Sequence, residues 1–450
     1  MSRMKTAIVG LGITGLSGVR YLNDTDDLVV VDTRIDPPGL AELVERFPGV
    51  PVATGADRFD FSGVDRVLVS PGVGLDSEIL KDLPSNVTLI SDIDLFCEAA
   101  TAPIIAVTGT NGKSTVTSLV GHLLLGAGVR AVVGGNLGQA ALDLLGEPAV
   151  VFVLELSSFQ LERLGPHAFK AATILYVTAD HLDRHGDMAA YAGAKQRIYR
   201  NCEVAVAHRG DPLTYPADCP GNTCLVTTFG LDEPDEGQWG IRQVDEVRWL
   251  VWGGLRVLPA AEVPIAGQHN ELNVLAAMAL AASVGIDTET MAIAVRSFQG
   301  LAHRCQRVAS IAGVEFINDS KATNVGATQA ALLGLSDAAA ADDRRIVLIA
   351  GGDGKGADFA PLVETAARFV KALVLLGRDA PRLAEAFADH RSVQVVHRVQ
   401  NMRQAVELAA GLAEAGDLVL LSPACSSLDM YPNFAARGDD FSRAVEALAA

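Results

Sequence analysis

Residues 104–115 read IIAVTGTNGKST, and this stretch decides how the chain folds. The apolar run Ile104, Ile105, Ala106, Val107 breaks into a glycine-rich loop that ends in Lys113, Ser114 and Thr115, so a buried strand hands over directly to a helix. Such a turn binds phosphate. Gly109 and Gly112 let the backbone approach an oxyanion, the N–H groups of the helix start cradle it, Lys113 reaches terminal phosphates and Ser114 can ligate magnesium. The common GxxxxGK[ST] spacing is not met, because Val107 stands where its first glycine should be. The string AxTGTNGKST (106–115) therefore points to a narrower class of nucleoside triphosphate binder.

Working outward, short β-branched runs alternate with helical patterns along all 450 residues, a length that implies two or three domains. Residues 6–9, 28–31 and 66–70 read as strands of a first α/β domain. Strands at 149–154 and 172–177 and a helix near 189–200 continue the phosphate-loop domain. Alternating runs such as VRWLVWG predict an antiparallel sheet edge between 202 and 264. Helices are expected at 270–284 and at 288–298, the second capped by Asp287. Strands at 345–349, 372–376, 393–396 and 418–421 build a third domain. The expected architecture is α/β with parallel sheets: a Rossmann-like domain (1–97), a central P-loop ATPase domain (98–299) and a C-terminal Rossmann-like domain (300–450). Ligand sites then lie at strand C-terminal ends.

A net charge of −18 argues against a protein that wraps nucleic acid, where affinity comes from Lys and Arg. The six cysteines are dispersed without a CxxC pair, which fits a reduced, cytoplasmic setting rather than a zinc or disulfide framework. The opening MSRMKTAIVGLG starts a strand at once, leaving no room for a signal peptide, and no apolar run approaches a membrane span.

Six further segments carry candidate chemistry. GLGITG (10–15) follows a strand, with Asp32 ending the next one. It reads equally as an NAD fingerprint or as a tight strand-to-helix turn; a third reading is a cradle for another pyrophosphate such as that of a UDP-sugar, with Thr33, Arg34, Ser70, Pro71 and Gly72 at neighbouring strand ends. Glu155 ends an apolar strand, where a carboxylate can hold magnesium, with Ser157 and Ser158 adjacent; His181 lies in TADHLDRHG after another strand. Lys195, by spacing alone, reads as a solvated helix lysine. FINDSKATN (316–324), preceded by His303 and Arg304, makes a better binding loop than a turn, since no glycine there supplies a positive φ. GGDGK (351–355) and SPACSSLD (422–429) follow strands of the third domain and place Lys355 and Ser427 at one sheet edge, suited to a small anionic substrate.

In order along the chain, AVTGTNGKST, LELSSFQLE, DHLDRHG, GQHNELN, HRCQ, NDSKATN, GGDGK and SPACSSLD resemble the motifs of the Mur ligases. LELSSFQLE, NDSKATN and SPACSSLD are particular to the branch that adds D-glutamate. The resemblance implies a cytoplasmic, monomeric enzyme of peptidoglycan precursor synthesis, using ATP to join glutamate to UDP-N-acetylmuramoyl-L-alanine through an acyl phosphate. It implies that Ile13, Thr14, Thr33, Arg34, Ser70, Pro71 and Gly72 hold the uridine nucleotide and that Asn136 touches the sugar-peptide. ATP falls to Gly109, Thr110, Asn111, Gly112, Lys113, Ser114, Thr115, Asn273, Arg304 and Asp319. Ser114 and Glu155 would hold one magnesium, and Glu155, His181 and Lys195 a second. Lys195 would be carbamylated, which replaces the solvated-lysine reading. Thr323, Lys355, Ser427 and Phe434 would hold glutamate, with Lys321 near the reacting phosphate; Lys113, His181, Lys195 and Lys321 form the catalytic set. Tyr176 departs from the family, which writes Asn before the Asp-His pair, so His181 must find other support. A ligase for another amino acid such as L-glutamate, an NAD-dependent dehydrogenase and a nucleotide-driven switch without chemistry are the alternatives.

Overall fold

The computed structural model describes residues 3–217, 224–265, 267–339, 345–388, 393 and 396–449. Cys219 and part of the strand expected at 393–396 lie outside them. Three sheets organise the chain. The first contains β1 (Met4–Val9), β2 (Asp26–Asp32), β3 (Val52–Thr54), β4 (Arg66–Val69) and β5 (Thr88–Ile90), all parallel, in the order β3-β2-β1-β4-β5. That order reverses direction between β1 and β4, so the loops after these two strands meet and open a crevice.

The second sheet has nine strands: β6 (Ile104–Thr108), β7 (Ala131–Gly135), β8 (Val151–Glu155), β9 (Ala171–Ile174), β10 (Val204–His208), β11 (Leu225–Phe229), β12 (Trp239–Val244), β13 (Val247–Trp252) and β14 (Leu255–Pro259). They run in the order β14-β13-β12-β11-β10-β9-β6-β8-β7. The part from β7 to β12 is parallel, whereas β12, β13 and β14 form the antiparallel edge that the alternating VRWLVWG pattern foretold. Every residue of β6, β8 and β9 is buried, as expected of parallel strands covered on both faces. Here β6 is the switch strand, with β8 on one side and β9 on the other, so the loops after all three converge.

The third sheet holds β15 (Gln306–Ile311), β16 (Val314–Asn318), β17 (Ile346–Ala350), β18 (Val370–Leu375), β19 (Val396–Arg398) and β20 (Leu418–Leu421), in the order β15-β16-β20-β17-β18-β19. Only the β15/β16 hairpin is antiparallel. Central β20 lies between β16 and β17, which gathers the loops after these three strands at one edge. Separate apolar clusters cover its two faces, one around Leu348, Leu362 and Leu420, the other around Ile349, Val406 and Phe441.

The chain divides into two compact units, residues 1–260 with 273–296, and residues 261–272 with 297–450. The first unit holds both the first and second sheets because they share a core. Phe96, on the helix Asp92–Ala99, packs edge-on against Phe152 of β8 with centroids 5.0 Å apart, and Arg20 forms a 2.6 Å ion pair with Asp143. The helices expected near 270–284 and 288–298 are present at Gln268–Ala282 and Thr288–Ser297, and the N–H of Thr290 donates to Asp287 at 2.9 Å as a cap.

Candidate active site

In the first unit the phosphate loop rises from β6 and ends in the helix Lys113–Gly126. Gly109 has φ +151° and Gly112, the residue before the helix, has φ +81°, a conformation that favours glycine. Space is as decisive as dihedral here: a Cβ on Gly112 would lie 2.5 Å from Oδ1 of Asn273. Asn273 thus stands against the loop. The loop is fixed from the β9 side, where Thr110 N–H donates to Tyr176 O at 2.7 Å and its hydroxyl lies 3.1 Å from the Tyr191 hydroxyl. The Lys113 ammonium curls back to donate to the carbonyls of Gly109 (2.8 Å) and Thr110 (2.9 Å).

Lys195 is not solvated. It is 1 % exposed, donates to Gly109 O at 3.0 Å and lies 4.5 Å over the Tyr191 ring. Burial, reinforced by the Lys113 charge, holds its amine well below the ordinary lysine range, against the pull of Asp180 and Glu155. The helix Met188–Gln196 (MAAYAGAKQ) turns Met188, Tyr191 and Ala192 toward the core, and Lys195 continues that covered face at the next turn; the solvated reading went by residue type rather than by this spacing.

Glu155 closes β8 and is 3 % exposed. Its Oε1 accepts from Asn136 Nδ2 at 2.7 Å, while Oε2 is buried with no hydrogen-bond partner. A buried carboxylate oxygen left in that state calls for a cation. Ser157 and Ser158 do not supply the polar contacts expected beside it: Ser157 caps the short helix Ser158–Leu161 by accepting from Gln160 N–H, and Ser158 Oγ pairs with His185 Nε2 at 3.0 Å. His181 has φ +53° and a 44 % exposed side chain, and its ring meets Phe159 edge-on at 4.9 Å. Phe159 is therefore its support, while Tyr176 turns toward His208, centroid to centroid 6.4 Å. Among the described residues no three His, Cys, Asp or Glu side chains form a metal cluster, so any magnesium here draws on other oxygens as well.

At the edge of the first sheet, Gly10 has φ +93°, and Ser70 Oγ donates to Gly10 O at 2.5 Å, joining the loops after β1 and β4. Asp32 accepts from Leu11 N–H at 2.6 Å and from both Nε and Nη2 of Arg34 at 2.9 and 2.7 Å. Burial alone would raise its pKa, but Arg34 and the two backbone N–H groups hold it below the ordinary value. A carboxylate engaged in this way is not presented to a ribose, which removes the main support for the NAD reading. Ile13, at the start of the helix that follows the β1 loop, is 72 % exposed. Two residues at this edge escaped the sequence reading. Arg163 donates to the carbonyls of Val69 (2.9 Å), Ser70 (2.7 Å) and Val73, and Arg184 to Val73 O (3.1 Å), so both brace the turn carrying Pro71 and Gly72. Arg184 lies inside DHLDRHG, which was signal enough to suspect it.

In the second unit the loops after β16, β17 and β20 meet. Asp353 and Ser426 exchange backbone hydrogen bonds of 3.0 and 2.8 Å, which puts the Lys355 and Ser427 loops side by side. Lys355 is exposed with φ +51°, and Ser427 is buried. Asp319 accepts from Cys305 N–H (3.2 Å) and Ser422 Oγ (2.9 Å), and burial pushes its carboxyl up to about 7. Lys321 Nζ lies 4.0 Å over the Phe434 ring. Arg437, also absent from the sequence reading, is 2 % exposed and donates to Ser320 O (2.8 Å), Ser320 Oγ (3.0 Å) and Cys425 O (3.1 Å), tying two of the loops together. Thr323 precedes the helix Val325–Ala339, which Asn324 caps by accepting from Ala327 N–H at 2.8 Å. Arg304 lies in the same unit, before β15.

Three family models match the chain: a Mur ligase MurD-like N-terminal domain over 4–90, a Mur ligase middle domain over 107–281 and a Mur ligase glutamate ligase domain over 303–425. The chain is 46% identical to the UDP-N-acetylmuramoylalanine--D-glutamate ligase of Marinobacter nauticus, covering 100% of this chain and 99% of that protein. It is 48% identical to the protein of the same name from Pseudomonas aeruginosa, covering 98% of each. Among solved structures it resembles the UDP-N-acetylmuramate-alanine ligase of Thermotoga maritima (TM-score 0.62, 19% identity, 99% of this chain and 100% of that one). It also resembles MurF of Acinetobacter baumannii (TM-score 0.60, 18% identity, 93% and 90%), and at such identities the likeness concerns the fold alone.

Proposed function

The chain belongs to the Mur ligase family, and from that premise we propose that it joins D-glutamate to UDP-N-acetylmuramoyl-L-alanine at the expense of ATP, in peptidoglycan precursor synthesis. The observation that carries this reading is the end-to-end likeness, at 46% and 48% identity, to curated D-glutamate ligases.

The residues suit an acyl-activation mechanism. ATP phosphorylates the terminal carboxylate of the peptidyl sugar, the glutamate amine attacks the acyl phosphate, and phosphate leaves the tetrahedral intermediate. Protein groups position reactants and neutralise charge rather than bond to them. The N–H groups of residues 109–115 receive the phosphates, Lys113 swings from its loop carbonyls to the transferring phosphoryl group, and Asn273 bounds the loop. Asn273, Arg304 and Asp319 complete the proposed ATP set; burial of Asp319 supports a role in shaping its loop. The uridine nucleotide is assigned to the crevice between β1 and β4, with Ile13, Thr14, Thr33, Arg34 and Ser70 to Gly72, and the sugar-peptide to Asn136. Glutamate is assigned to Thr323, Lys355, Ser427 and Phe434, and Lys321 is assigned to the reacting phosphate.

Magnesium, held by Ser114 and Glu155 and at a second position by Glu155, His181 and Lys195, would supply charge neutralisation between carboxylate and phosphates. The unpartnered Oε2 of Glu155 fits that assignment. An amine whose pKa burial holds well below the ordinary lysine range also fits carbamylation, since only the free base adds carbon dioxide, releasing one proton and gaining an anionic oxygen pair. Among the described residues no helix is long and apolar enough to cross a membrane. A cytoplasmic monomer is part of the same proposal.

The test is phosphate release with UDP-N-acetylmuramoyl-L-alanine, ATP and each amino acid in turn. Turnover with D-glutamate and not with L-glutamate is expected; none with D-glutamate would sink the proposal.

A further inference from the structure

We propose that Cys202 and Cys224 form an oxidisable dithiol, a modification site that closes to an intramolecular disulfide by exchange with small disulfides such as oxidised glutathione. Cys202 sits between the turn Arg197–Tyr199 and β10, and Cys224 immediately precedes β11. These strands are parallel neighbours with Val204 opposite Leu225, so Cys202 and Cys224 both lie just before the paired residues, offset by one position, at the same end of the two strands. Their backbones are pinned: Leu225 N–H donates to Glu203 O at 2.8 Å and Cys202 N–H to Tyr199 O at 3.2 Å. The sulfurs are 3.4 Å apart. A disulfide bond is about 2.05 Å, so closure asks for side-chain rotation of little more than an ångström and no exchange of strand partners.

Access to the two sulfurs is unequal, which sets the order of events. Cys202 is 4 % exposed and packs in the core cluster with Ile198, Tyr199 and Ala205, whereas Cys224 is half-buried at its margin. The Cys224 thiolate attacks one sulfur of the small disulfide and expels a thiolate. The Cys202 thiolate then attacks the Cys224 sulfur and expels the second. In sum, two protein thiols and one glutathione disulfide give one protein disulfide and two glutathione thiols; two electrons pass to the oxidant and the protons follow the leaving thiolates. The extent of closure then tracks the surrounding thiol-disulfide poise.

The site is remote from the ligase chemistry. The phosphate loop leaves the C-terminal end of β6, while the sulfurs lie at the N-terminal ends of parallel strands of the same sheet, a five-residue strand or about 16 Å away along it. Oxidation should therefore stiffen the sheet without stopping turnover.

Treatment of the full chain with glutathione disulfide at mildly alkaline pH, followed by non-reducing peptide mapping, tests this. A peptide linked through Cys202 and Cys224, a mass loss of two hydrogens, a raised Tm and an unchanged kcat are expected. C202A should stop at a mixed disulfide of Cys224 with glutathione, and C224A should leave Cys202 unmodified. A link through Cys219, no linked peptide, or glutathione carried by Cys202 in C224A would overturn the proposal; C224A changes a half-buried side chain and guards against misfolding of C202A.

Discussion

Lys195 shows how much a single side chain's role depends on what covers it. A lysine is ordinarily solvated, yet the amine of this one donates to the Gly109 carbonyl, 86 residues away in sequence. Lys195→Ala should lose ligase turnover, and short carboxylates should partly restore it by offering the missing anionic oxygens; full activity of the variant would reject the carbamate role. Lys113→Ala should lower kcat by about two to three orders of magnitude, the usual loss when one preorganised donor to developing charge is removed. A different residue controls stability. Asp92 is buried, with Oδ1 lacking a partner, and burial raises its pKa to about 6. The folded state therefore holds this proton more tightly than the unfolded chain, so the contribution of this one carboxyl to stability is fully present below about pH 4 and is lost as pH rises through about 6. Asp92→Asn does not titrate. Relative to the wild type it should gain roughly 3 kcal/mol between pH 4 and pH 7, the equivalent of about two pKa units, readable from urea unfolding at the two pH values.

Among elements, the best-read ones were apolar strands inside the parallel sheets. Strands β1, β2, β4, β6, β8 and β20 were all legible because parallel pairing buries both faces and leaves unbroken β-branched runs. The edge strands β3 and β5, three residues each, were not, and β7 hid behind two glycines. The loops of the site were legible for the same reason as the strands: each follows a recognisable β segment, and topology then converges them. Arg163, Arg184 and Arg437 were not, because a guanidinium that braces backbone carbonyls of distant loops leaves no local pattern. Helix ends were partly legible. Ser91 and Asp94 form a reciprocal capping box, each side chain accepting the other's backbone N–H at 3.0 Å. Ser91→Ala should cost about 0.5–2 kcal/mol, seen as a lower urea midpoint with unchanged m-value.

For the whole molecule, under the proposed assignment the substrates fall to different sheets, and each should then leave its own footprint. In hydrogen exchange, the UDP-sugar should slow amides after β1 and β4, and D-glutamate those at 351–355 and 422–429; protection of residues 10–15 by glutamate alone would contradict the assignment. The chain also visits its two units alternately. Residues 273–296 return to the first unit after 261–272 have contributed to the second. That returning segment carries Asn273 against Gly112 and Ala294, whose carbonyl pairs with His122 at 3.0 Å. On a ribosome, the nucleotide-binding half is thus unfinished when residue 260 emerges. At typical synthesis rates it waits a further few seconds, roughly two to seven, for its last two helices, and the nascent chain spends that interval with the face of the phosphate-loop helix uncovered. A slow codon cluster or a stop within 261–296 would lengthen that vulnerable interval or make it permanent.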